Sequence, residues 1–318
     1  MTVLYVLDHG CQINKEGETI CVTSSGELLY KLPFADVTSI AIFGFAQITT
    51  QALLAASDSS IPITFHTEKG QFRAFCLPAY SKNVFLRVSQ FKLYEDQEFR
   101  LNFAKKIISA NSDFEFGVME ERIRNAARNL LKAEDLSLLL GHEGNSAKLY
   151  FSCFQNCLTK SVDFKGRQYF PSPDLINASL SFGYSMLAKE IQSYLYIHGP
   201  DPFIGFFHQL VYGRASLALD LIEEFRHIVI DRLVLNLFNK SIHSEDDFEK
   251  SNDGGFYLKK PNLKRYLSAY EDYLNQTTYP FDGKKIIFRE LLKKQVEKFK
   301  NSVENKTEYQ PYFLSEHK

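Results

Sequence analysis

The sequence has little cysteine, and none of it is paired. Its five cysteines, at 11, 21, 76, 153 and 157, form no CxxC. That pattern excludes the common zinc frameworks and points to reduced thiols in a cytoplasmic protein. Cys153 and Cys157 share a helix face by their spacing, and burial explains them better than ligation. No run approaches the roughly 20 apolar residues that a membrane helix needs, so no membrane association is expected. The opening segment MTVLYVLDHG has no basic region and no long apolar stretch, so no secretory signal is expected in it. Internal repeats and low-complexity runs are missing, and the eight histidines give no HExxH spacing. A net charge of -1 gives no bulk basicity of the kind a dedicated nucleic-acid binder often shows. It leaves a local basic surface open, because the field depends on how charge is distributed.

What is present is ordinary globular material: 318 residues, 45% hydrophobic and 24% charged, enough for a sizeable core. The first 80 or so residues read as β. TVLYVL, ETICVTS, ELLYKLP, VTSIAIFG, IPITFHT and GQFRAFCLP are short Val, Ile, Thr, Tyr and Phe runs punctuated by Gly, Pro, Asp and Ser. A single helical segment, residues 49–60, interrupts them. Beyond residue 82 the apolar period changes to three and four. Leu86, Phe91, Leu93 and Phe99 mark a first long helix, and helices are expected over 116–140, from 143, from 174, over 216–240 and in the tail. Residues 241–260 are polar with a Gly-Gly, as a loop or short hairpin would be. The expected fold class is α+β: a small β-sandwich-like domain, residues 1–82, followed by a larger all-helical domain, residues 83–318.

The stretch GFFHQLVYGRASLALDLIEEFR, residues 205–226, raises the chemical question. It has the apolar content of a buried helix yet carries Asp220, Glu223 and Glu224, and carboxylates in an apolar setting need compensation. Helical spacing puts the three on one side, where like charges repel. Two readings stand: a solvated stripe salt-bridged to Arg226 or Arg214, or acids that share a divalent cation. His208 just upstream is either a hydrogen-bonded core histidine or a ligand. Glu143, bracketed by Gly141 and Gly144, reads as an acid near a helix N-terminus. Pro173 and Asp174 give a helix-start signal, with Asn177 and Ser181 one turn apart on the helix that follows. Several acids and one histidine from separate helices suit Mg2+ or Mn2+, and such mixed sites serve phosphodiester chemistry.

The blocks GHEGNSAKLYF, PSPDLINASLSFGYSML and DPFIGFFHQLVYGRASLALDLIEEFR resemble the CRISPR-associated integrase family, the first-numbered Cas protein. They occur in that family's order within a chain of its usual length, and the β-then-helical layout is the family's too. The resemblance implies metal ligation by Glu143, His208 and Glu223, with Asp220 at a fourth acidic position of the site. Asn177 matches an Asn near it. Ala215 and His227 stand where the family usually has proline, and Ser172 splits a usual proline pair. None of these departures touches the acids or His208.

The implied reaction is transesterification, in which a DNA 3′-hydroxyl attacks a phosphorus of the CRISPR repeat with Mg2+ or Mn2+ as cofactor. It needs no ATP, and no GxxxxGK[ST] loop is present. The implied partners are DNA, a second copy of the chain in a homodimer formed by the β domain, and the second, smaller Cas protein. Lys284, Lys285, Arg289, Lys293, Lys294, Lys298 and Lys300 form the densest basic run, with Arg289, Lys293 and Lys300 along one side. It is either a DNA grip or a solvated amphipathic helix. Arg214, close to His208, is the better candidate for a phosphate. The competing functions are a stand-alone metal-dependent nuclease for branched DNA in repair, and an inactive subunit that only holds DNA. The intact Glu143, His208 and Glu223 count against the last.

Overall fold

The computed structural model describes residues 2–78, 81–111, 132–159, 163–169, 171–252 and 254–314. The helix expected over 116–140 lies outside the described residues as far as 131. The chain divides into two compact units, Met1–Ser81 with Leu258–Leu267, and Lys82–Tyr257 with Ser268–Lys318.

The first unit is two four-stranded sheets and one helix. One sheet runs β1 (Thr2–Val6), β5 (Val37–Phe43), β7 (Ile63–His66) and β8 (Phe72–Cys76), with β1, β5 and β7 parallel and β8 antiparallel. The other runs β4 (Glu27–Pro33), β3 (Thr19–Ser24), β2 (Cys11–Glu16) and β6 (Gln47–Ile48). Parallel β5 and β7 need a crossover, and α1 (Thr50–Asp58) provides it, capped by the Thr49 side chain. One core joins the sheets and α1: Leu4, Val6, Ile40 and Ile63 from the first sheet, Ile13, Ile20 and Val22 from the second, Ala52 and Ala56 from the helix. Each buried aliphatic side chain of this kind contributes about 1.5–3 kcal/mol. Strand β2 went unread in the sequence because CQINKE alternates with only Cys11 and Ile13 turned inward.

The second unit is helical. Its described helices are α2 (Val84–Glu95), α3 (Gln97–Asn111), α4 (Leu136–Asn156), α5 (Leu175–His198), α6 (Ser216–Ile222), α7 (Arg232–Asn239), the end of α8 (Lys260–Gln276) and α9 (Phe288–Asn305). The long, largely buried α5 packs against α6, α7 and α9. Two short hairpins are set among the helices. One, β9 (Phe248–Lys250) with β10 (Phe256–Leu258), falls where a loop or hairpin was expected. The other, β11 (Thr278–Phe281) with β12 (Lys284–Ile287), turns on Asp282 and Gly283, both at positive φ. Asp-Gly is the favoured pair for such a turn. The tail helix therefore begins at Phe288, and Lys284 and Lys285 lie on a strand.

Two helix boundaries and one buried face differ from the sequence reading. Helix α4 is capped by Asp135, whose side chain accepts from Leu138 N–H, and it runs through both glycines. Glu143 therefore sits two turns inside a helix, away from its N-terminus. The helix expected over 216–240 is broken: α6 stops at Ile222, residues 223–225 turn, and His227–Asp231 widen into a π-helical turn before α7. Such turns often mark functional sites. On α2 the buried face is Leu86 and Gln90, while Phe91 is 52% exposed.

Candidate active site

The three acids of residues 220–224 are answered in three different places, because the turn after Ile222 rotates each one away from the last. Asp220 is fully buried. Its Oδ2 accepts the backbone N–H groups of Phe206 (2.6 Å) and Phe207 (3.1 Å), and its Oδ1 accepts that of His208 (2.8 Å). The same Oδ1 lies 2.7 Å from His208 Nδ1. Four hydrogen bonds compensate this carboxylate without a cation. They also set the imidazole, since Nδ1 tied to a carboxylate leaves Nε2 as the ring atom for other partners. Burial works against protonation of His208. The Asp220 hydrogen bond and charge, with Glu223 behind them, outweigh burial and hold the ring above its ordinary 6.5.

The turn that carries His208 is gripped from all sides. Phe206 packs with Phe99, Phe103 and Phe299, Tyr309 stacks on Phe103, and Phe207 joins Ala104, Ile108 and Leu139. Arg100 Nε donates to the Phe206 carbonyl at 3.3 Å. Upstream, the buried Gln90 amide donates to the carbonyls of Asp201 (2.9 Å) and Ile204 (3.0 Å) and accepts from Asp201 N–H (2.7 Å). Gly205 lies so close to α6 that a Cβ would stand 2.7 Å from the Ser216 carbonyl carbon and 2.8 Å from Asp220 Oδ2. Sequence reasoning passed over Gln90 and Gly205. The available signal for Gln90 was a polar residue one turn after Leu86, in the apolar phase of α2.

Glu223 is buried and accepts from Arg226 at 2.8 Å. Burial pushes its carboxyl up, Arg226 and His208 pull it down, and the charges of Glu143 and Asp220 raise it again, with a net rise. Glu143, half-buried on α4, is thus near enough to repel Glu223. Behind Arg226 lies a buried polar group: Tyr150 and Tyr184 both donate to Asp231, and the Arg226 guanidinium stands 5.7 Å from the Tyr184 ring centre.

Glu224 faces the other way, and no cation is needed there. It accepts Tyr309 O–H (2.6 Å), Tyr312 N–H (2.8 Å) and Gln295 Nε2 (2.9 Å), which ties the segment after α9 to the turn. Burial still pushes it up to about 7. Between its ordinary 4.5 and about 7 the folded state therefore holds a proton that the unfolded state has lost, and stability falls as pH rises through that window. The expected decline is at most about 3 kcal/mol. Urea unfolding from pH 4.5 to 8 should show it for the wild type and show it flattened for Glu224→Gln. Equal slopes would mean that Glu224 is ionised throughout.

Other expected site residues fall differently. Asn177 is fully buried with every polar atom used: Oδ1 accepts Gln168 N–H (2.8 Å) and Arg167 (2.9 Å), and Nδ2 donates to Gly166 (3.0 Å) and Asp174 (2.7 Å). It pins the 166–168 loop to α5. Arg289 is also removed from the basic face, being buried between Glu190 (2.7 Å) and Glu271 (2.8 Å). Lys293 is exposed, and Lys300 lies 3.8 Å from Glu304. Arg214 is half-buried, donates to the Gln209 carbonyl, and opposes protonation of His208 by its charge.

The donor set of Glu143, Glu223 and His208 Nε2 is chemically suited to a divalent cation: two mutually repelling carboxylates and an imidazole held by a carboxylate behind it. As arranged, no three His, Cys, Asp or Glu side chains among the described residues are grouped to hold an ion. Glu223 Oε1 is turned to Arg226.

Residues 4–272 match the family described as CRISPR associated protein Cas1, and the chain belongs to that family. It is 34% identical over 300 residues to CRISPR-associated endonuclease Cas1 3 of Thermus thermophilus, covering 91% of this chain and 90% of that one. With CRISPR-associated endonuclease Cas1 1 of Chlorobaculum tepidum it shares 30% identity over 309 residues, 90% of each. The solved structure of a Cas1 protein from Thermotoga maritima superposes with a TM-score of 0.84 at 27% identity, covering 95% of this chain and 97% of that one. A casposase bound to integration product shares the fold, with a TM-score of 0.86 at 23% identity, covering 100% of this chain and 94% of that one. No described helix is long and apolar enough to cross a membrane.

Proposed function

We propose that this chain is a divalent-cation-dependent DNA endonuclease and integrase of CRISPR adaptation, joining DNA 3′-hydroxyl ends into the repeat by transesterification. The observation that carries the reading is His208, locked by Asp220 through Nδ1 beside a Glu223 that Glu143 repels. Curated relatives of this chain are named as Cas1 endonucleases. Glu143, His208 and Glu223 would hold Mg2+ or Mn2+, which when bound neutralises charge developing at a phosphate and lowers the pKa of an attacking hydroxyl or water.

The chain's own part is positioning. Asp220 and the backbone of 206–208 hold His208 Nε2 outward. Arg226 pulls the Glu223 carboxyl down against the rise that burial imposes. Arg214 stands beside His208 for a phosphate oxygen, and Lys293 and Lys300 lie further along the DNA path. Holding hydroxyl and phosphate in line contributes several kcal/mol by itself, and no covalent protein nucleophile is required. A homodimer through the first unit and assembly with the small Cas partner complete the proposal. Strand β4, an edge strand with Leu28, Leu29 and Tyr30 exposed, offers a surface for the second copy.

The test is strand transfer with the small Cas partner, a duplex with free 3′-hydroxyls, a plasmid carrying the repeat, and Mn2+ or Mg2+. Joining at the repeat edge is expected to fall at least a hundredfold in Glu143→Ala and Glu223→Ala and to vanish with chelator. Cleavage of branched DNA without joining would replace this reading by a repair nuclease. Joining that survives both substitutions would move the cation to other residues.

A further inference from the structure

The turn that follows His208 ends in an uncovered aromatic. Tyr212 is 105% exposed, and Leu210 (46%) and Val211 (52%) flank it. It makes no hydrogen bond or ring contact with the described residues. The turn beneath it is nevertheless built. Gly213 adopts φ +75°, and Arg214 N–H closes on the Val211 carbonyl at 3.0 Å. Ser216 Oγ donates to the Gln209 carbonyl at 3.0 Å, and the Arg214 guanidinium donates to the same oxygen. Asp220 fixes the three residues before it. A rigid base thus holds a bare ring four residues from His208 and two from Arg214.

We propose that Tyr212 is a stacking platform for an unpaired nucleobase within a few nucleotides of the phosphate that reacts beside His208. This rests on the reading that the substrate is DNA. Three physical points favour a base over a protein partner. Protein interfaces that persist cover about 800 Å² on each side, far more than the tip of one turn presents. A single ring matches the face of a single base, and stacking of this kind tolerates any sequence because every base has a π face. Arg214, two residues further along the same turn, can hold a phosphate of the same strand while the base stacks. Pre-ordering the turn matters, since its backbone loses little freedom when a base covers the ring.

The platform acts only on a base out of its pair, so it separates forked or flapped DNA from continuous duplex. The probe is a forked DNA carrying 2-aminopurine at successive positions around the branch, with the full-length protein, its small Cas partner and Mn2+. In wild type and Tyr212→Phe, the fluorescence of one position next to the branch is expected to be quenched. In Tyr212→Ala that quenching is lost, and the Kd for the fork rises about tenfold while the Kd for continuous duplex is unchanged. Equal fork affinity and quenching in Tyr212→Ala, with wild type binding normally, would overturn the platform and leave the function standing. Loss of dimer or of the small partner in Tyr212→Ala, seen by light scattering with DNA affinity unchanged, would overturn it in favour of a protein contact. A wild type that binds neither DNA would remove the function and the platform together.

Discussion

Asp220→Asn should cost more activity than its size suggests. The carboxylate accepts four hydrogen bonds, two on each oxygen. An amide has one accepting oxygen and one NH2. Whichever way it is turned, the NH2 faces backbone donors that are themselves buried. Each buried donor left without an acceptor costs about 1–3 kcal/mol, so the 206–208 turn loosens or shifts. A misplacement of about 1 Å at a reacting centre costs on the order of a hundredfold in rate, and that is the expected fall in strand cleavage and joining.

The same substitution has a signature in pH that a merely structural residue would not give. His208 is held above 6.5 by Asp220. A histidine raised in the folded state adds stability that is fully present below 6.5 and is lost as pH rises through its raised value. In Asp220→Asn that pH-dependent part should disappear, and the His208 resonance should titrate lower by NMR. A variant with wild-type rate and an unmoved His208 titration would show that the carboxylate does not hold the turn.

Gly205→Ala is expected to be the most damaging single methyl in the second unit. Its Cβ would meet the Ser216 carbonyl carbon at 2.7 Å, with Ser216 Cβ and Asp220 Oδ2 at 2.8 Å. Two of these neighbours cannot swing aside, being the backbone of α6 and the Cβ attached to it. The constraint is space, since no positive φ is involved. Overpacking of this kind costs about 1–3 kcal/mol, and here it separates α6 from the His208 turn. Melting temperature and cleavage rate should fall together. Gly141→Ala is the contrast, because that glycine lies inside α4 with open space around its Cβ position. It should gain up to about 1 kcal/mol. A Gly205→Ala protein that melts like wild type would mean that α6 moves freely against the turn.

The layout was legible in the sequence because period-two and period-three-to-four patterns are properties of neighbouring residues. Strands β1, β3, β4, β5, β7 and β8, helix α1 and the start of α5 at Asp174 follow from local runs and caps, whereas β2 does not. The candidacy of Glu143, His208 and Glu223 was legible too, through three sequence blocks that resemble the family. The breaks were not legible. SLALDLIEEFRHIVIDRLVLNLFNK has an unbroken helical pattern, yet it turns at 223 and widens at 227–231. Nothing in the run of apolar residues marks that turn, and Glu224 gains the three partners of the chain's tail because of it. GHEG read as a helix start because glycine usually ends one helix before another begins, but packing of Leu139 and Phe151 carries α4 straight through.

The sequence by itself determined which residues could do chemistry, since the supply of histidine and acids near one another is a matter of composition and spacing. It also determined the two-part layout, since hydrophobic period is local. Only the tertiary structure decided how each acid is compensated: Asp220 by a backbone turn, Glu224 by the tail, Glu223 by Arg226 and, in our proposal, by a cation. The physical reason is that the charge of a buried carboxylate is settled by donors brought to it from distant parts of the chain, and no local pattern encodes them.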